Sequence, residues 1–90
     1  MLIPPGPLDK GLKSFFAITP MPDDWTDDQV ESMLRENNSR VLRVLTIHEA
    51  VPGHYLQLAW SNRCDSLPRA VFGSGVFAEG WAVYVTQVMI

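Results

Sequence analysis

The run Leu45-Thr46-Ile47-His48-Glu49-Ala50-Val51-Pro52-Gly53-His54-Tyr55-Leu56-Gln57 holds both histidines of the chain, and the course of its backbone decides the fold. Two imidazoles serve one metal ion when they leave a helix on the same face. A spacing of four residues leaves a net rotation of about 40°, whereas the six from His48 to His54 leave about 240°. A straight helix therefore points them apart. Pro52 changes this, because it has no amide for the carbonyl of His48 and its ring crowds that carbonyl. It also drives Val51 out of the helical region, and Gly53 supplies backbone freedom. The expectation is a distorted helix in which residues loop out at Pro52-Gly53 and return His54 to the face of His48.

Upstream, Thr26 with Gln29 three positions later has the form of a capping box. Asp27 and Asp28 add negative charge at the positive end of that helix. Val30, Met33, Leu34, Val41, Val44, Leu45 and His48 fall on one helical stripe. The stripe has a candidate break at Asn37-Asn38-Ser39, where Ser39 is a possible second cap. A helical segment is expected from about Val41 to about Trp60, interrupted at Pro52-Gly53. Residues 61–68 read as loop, Gly73-Ser74-Gly75 as a further break, and the last helix as starting near Val76. Before Thr26 the chain carries Pro4, Pro5, Pro7, Pro20 and Pro22. Residues 1–24 are therefore expected to be extended, with one short strand within Lys13–Thr19. The fold class expected is mainly α, a single partial domain over residues 1–90.

Ninety residues make at most one small domain. With 47% hydrophobic and 19% charged residues the chain has the composition of a folded protein. A net charge of −3 offers no basic footprint for nucleic acid. Cys64 is the single cysteine, so no internal disulfide forms, and an ordinary thiol is the expected reading. No apolar run is long enough to span a membrane. Met1-Leu2-Ile3-Pro4-Pro5-Gly6-Pro7 does not read as a signal peptide, since it lacks a charged start and proline interrupts it at once. Val85–Ile90 is apolar and has no closing glycine, asparagine or basic residue. The expectation is that the segment belongs to a longer chain, whose other parts complete core and pocket.

A catalytic zinc site takes three protein ligands and leaves one position open. His48 and His54 offer two nitrogens. Glu79, in the run Phe77-Ala78-Glu79-Gly80-Trp81-Ala82-Val83-Tyr84, is a carboxylate on the following helix and a candidate for the third place. Glu49, beside a ligand, suits a general base that takes a proton from the attacking water and passes one to the leaving amine. Tyr84 is a candidate donor to a developing oxyanion, and Gln57 a candidate to orient His54. Each residue also has a plainer reading. His48 is then a core histidine, His54 a helix cap, Glu49 a solvated helix residue, and Glu79 a partner of Arg69 or Arg63. Trp81 and Tyr84 are then packing residues.

These two motifs resemble the bacterial family called domain of unknown function 885. Ile3-Pro4-Pro5-Gly6-Pro7-Leu8-Asp9, Thr19-Pro20-Met21-Pro22-Asp23-Asp24-Trp25 and Leu34-Arg35-Glu36-Asn37 resemble it too, so the likeness spans nearly the whole chain. The resemblance implies a larger, mostly helical, zincin-like metallopeptidase fold. It implies His48, His54 and Glu79 as zinc ligands and Glu49 as base. The place of Glu79 as third ligand rests on this likeness and not on spacing. The implied partners are a peptide substrate and the remainder of the chain itself, without which the segment is not expected to turn over substrate. The alternatives are a degenerate binding or scaffold protein with a structural or absent metal, and another metal-dependent hydrolase such as an esterase or amidase. One departure stands out: the family carries a glutamate two positions after the tyrosine, and here that position is Thr86.

Overall fold

A computed structural model describes residues Met1–Ile90. It is mainly helical. Two short strands, β1 (Leu2–Ile3) and β2 (Phe15–Phe16), precede five helices: α1 (Asp27–Glu36), α2 (Ser39–Glu49), α3 (His54–Ser61), α4 (Leu67–Val71) and α5 (Gly75–Met89). The strands pair antiparallel with Leu2 opposite Phe16 and Ile3 opposite Phe15. β2 falls inside the expected strand region, but β1 lies in a stretch expected to be unpaired. Pro4 and Pro5 carry no donor amide, which limits β1 to its two residues.

The capping box of α1 is present. The Gln29 amide donates to the Thr26 hydroxyl, and the Thr26 amide donates to the Gln29 side chain at 2.9 Å. The stripe breaks at Asn37, and the cap of α2 is Asn38 rather than Ser39. Its side-chain oxygen accepts from the amides of Arg40 and Val41 at 3.0 and 3.2 Å. An asparagine cap satisfies two of the amides that a helix start leaves without partners. The break splits the apolar stripe, so Leu34, Val41 and Val44 remain exposed. α4 was not anticipated. It starts inside the expected loop with Pro68 in its first turn, where a missing amide costs nothing. α5 begins at Gly75, with Ser74 accepting from the Phe77 amide.

α5 packs against α2 and α3, and this is where the small core lies. Ala82 and Val85 of α5 are buried, and so is Gly53. Many large apolar residues stay exposed, among them Phe72, Val76, Phe77, Val88 and Ile90. The radius of gyration is 15.9 Å, against about 12 Å for a compact chain of this length. These residues enclose only a small core. α5 is apolar on nearly every face, which suits a helix surrounded by other elements. No helix is long and apolar enough to cross a membrane.

Candidate metal centre

The Pro-Gly step ends a helix instead of bulging one. α2 stops at Glu49, residues 50–53 form a turn, and α3 starts at His54. The expectation of one distorted helix is corrected to two helices meeting at a turn. His48 lies in the last turn of α2 and His54 is the first residue of α3, so each helix presents its imidazole at the junction. The tightness of the turn falls on Gly53. A Cβ built there would overlap the carbonyl carbon and oxygen of His48, so a hydrogen is the largest substituent the site admits.

The rings of His48 and His54 stand perpendicular, with centroids 4.9 Å apart. Glu79, on the first half of α5, reaches both. Its Oε2 lies 3.5 Å from His48 Nε2 and its Oε1 lies 3.5 Å from His54 Nε2. With one donor atom taken from each residue, the three lie within 4.8 Å of one another. The 3.5 Å separations exceed the usual 2.7–3.2 Å of a nitrogen–oxygen hydrogen bond. They approach the edge of about 3.3 Å between ligands of a tetrahedral ion with bonds of about 2.0–2.1 Å. Closing a separation of 4.8 Å to that edge takes a side-chain movement of about 1.5 Å. Two imidazoles and a carboxylate are also a donor set that zinc takes. The residues therefore fit the ion. Both histidine side chains are largely covered, at 24% and 14% exposed, while Glu79 is 68% exposed.

Glu79 pairs with neither Arg69 nor Arg63; the guanidinium of Arg63 lies over the Trp60 ring instead. Glu49 stays outside the converging group. Its Oε2 accepts the backbone amide of Leu2 at 3.1 Å, across 47 residues of sequence. Met1 exchanges backbone bonds with Ala17, so the Leu2 amide points away from β2 and toward Glu49. Periodicity and motif spacing gave no sign of this contact. Gln57 does not orient His54. Its Oε1 is buried without a partner, beside a groove of about 630 Å³ lined by Leu56, Trp60, Phe77 and Trp81. Tyr84 is exposed, and its ring centroid lies 6.2 Å from that of Trp81. The Thr86 hydroxyl donates to the carbonyl of Ala82 at 2.7 Å, so the side chain is spent on its own helix.

No curated protein matches the chain. A solved structure does, that of a protein from Shewanella oneidensis described as a "putative lipoprotein of unknown function". It is 45% identical, covers 98% of this chain with a TM-score of 0.84, and is matched over 16% of its own length. The chain thus spans about one-sixth of that protein. Residues 2–90 match the family described as "Bacterial protein of unknown function (DUF885)". The chain belongs to this DUF885 family.

Proposed function

We propose that the segment carries the zinc site of a metallopeptidase-like hydrolase acting on peptide bonds, set within a larger helical, zincin-like fold. One observation carries the reading: His48, His54 and Glu79 bring their donor atoms within 4.8 Å of one another from three different helices. In this reading these three hold the ion. Zinc, when bound, acidifies the attacking water and polarises the scissile carbonyl.

The chain's own residues supply the rest. Glu49 takes the proton from the attacking water and delivers one to the leaving amine. The Leu2 amide holds Glu49 Oε2, which fixes the carboxylate and leaves Oε1 free to take the proton. Tyr84 leaves α5 about 140° from Glu79 and lies beside Trp81, so no oxyanion role is assigned to it. The peptide binds in a pocket whose remaining walls come from other parts of the full-length chain.

The test is zinc loading of the full-length protein, with one ion per chain expected. Glu79→Gln should weaken zinc binding by about 100-fold or more, beyond the 10–100-fold typical of losing an outer partner. A full-length protein that takes up no zinc overturns the reading. Zinc without hydrolysis of any peptide or ester turns it into a structural site of a degenerate enzyme. Hydrolysis of esters alone moves it to the esterases.

Leu2→Pro probes the base separately. The Leu2 amide takes no part in the β1–β2 ladder, so proline leaves the pairing intact while its ring removes the donor and pushes the Glu49 carboxylate from its place. The expected result is a drop in kcat of about 10- to 150-fold with zinc content unchanged, in line with the roughly 1.5–3 kcal/mol of a hydrogen bond to a charged group. An unchanged kcat shows that the amide does not tune the base.

A further inference from the structure

The Trp81 indole Nε1 donates to the carbonyl of Pro52 at 2.9 Å, a part-buried bond across 29 residues. Pro52 lies in the turn between the two histidines, and Trp81 lies two residues after Glu79 on α5. At 100° per residue the two side chains leave α5 about 160° apart by the shorter way round. Ala78 and Ala82 lie between them on that arc, with Ala82 at 0% exposure. Their small side chains let α5 come close to α2 and α3. α5 thus straddles the turn, with Glu79 reaching the imidazoles on one side and Trp81 holding the Pro52 carbonyl on the other.

We propose that Trp81 is a positioning residue of the metal centre: its bond to Pro52 fixes the rotation of α5 about its axis and so sets where the Glu79 carboxylate stands. The inference rests on the zinc reading above. The buried Ala82 and Val85 hold α5 against α2 and α3, but apolar contacts are non-directional and fix its roll less sharply than a hydrogen bond does. At a side-chain radius of about 5–6 Å, a roll of 10° moves the carboxylate by about 1 Å, as much as separates good from poor ligand geometry. A second contact on the far side of the helix removes that freedom. The bond also satisfies a carbonyl in the turn that no helix or strand pairs.

The experiment uses the full-length protein, its Trp81→Phe variant, and zinc and cobalt as probes. Phenylalanine keeps an aromatic ring and loses the N–H. The expected result is a zinc Kd raised about tenfold, the low end of the range for an outer partner, with a shifted visible absorption of the cobalt-loaded protein. A purely structural Trp81 lowers the denaturation midpoint of the metal-free protein but leaves Kd and cobalt spectrum at wild-type values, and that result overturns the proposal. A second measurement needs no variant. In the unsubstituted protein the Trp81 indole proton should exchange with solvent more slowly once zinc is bound, and exchange indifferent to zinc overturns the proposal. Failure of the unsubstituted protein to bind either ion sinks the metal reading and the clamp together, whereas equal affinities sink only the clamp.

Discussion

The full-length Glu49→Gln protein is expected to keep one zinc per chain and to lose hydrolysis by about 10²–10⁴-fold in kcat, the usual worth of a positioned general base. That loss corresponds to about 2.7–5.5 kcal/mol of transition-state stabilisation. The change is nearly isosteric and removes the negative charge and with it the capacity to take a proton. Glu49 is not among the three converging groups, so the ion should not notice it. The hydrogen bond from Leu2 survives too, because the glutamine side-chain oxygen accepts as well. Zinc content and kcat must therefore separate. A variant that loses zinc along with activity shows that Glu49 is a ligand. One that keeps full activity removes it from the mechanism.

Gly53→Ala should be the most damaging single methyl in the segment. Gly53 is buried, and its added Cβ would meet the His48 carbonyl, which is backbone and cannot rotate aside. Overpacking in a core costs about 1–3 kcal/mol when side chains can yield. Here the turn itself must open, and a cost of about 3–5 kcal/mol is expected. Opening moves α3, and with it His54, so zinc binding should fall together with stability. The checks are the denaturation midpoint and the zinc stoichiometry of the full-length variant. Wild-type values for both would falsify the view that this turn is what joins the histidines.

The local features were legible in the sequence because they are written in neighbouring residues. The Thr26/Gln29 capping box, the break near Asn38, the interruption at Pro52-Gly53 and the start of α5 all follow from short-range rules. His48, His54 and Glu79 were picked out by residue type and family likeness, and they do come together. The manner of their meeting was not legible. Proline and glycine allow either a bulge or a full break, and residue identity alone does not choose between them; the two helices that result both pack against α5. The Leu2–Glu49 and Trp81–Pro52 bonds were missed for a related reason. One partner in each is a backbone group, which leaves no trace in residue identity. Gln57 shows the opposite error, since a spacing of three on a helix suggested a bond to His54 that does not form.

The Leu2–Glu49 bond also carries a consequence for synthesis. The candidate base and ligands come from the end of α2, the start of α3 and α5, and the amide that holds the base comes from β1, so no stretch of a few consecutive residues holds the centre. A nascent chain that has exposed only His48 and His54 offers an ion two weak ligands with nothing to hold them at the right separation. In the proposed reading, tight uptake has to wait until α5, with Glu79, has left the ribosome and docked. On the zinc reading proposed above, the ion is therefore a late arrival in the growing polypeptide.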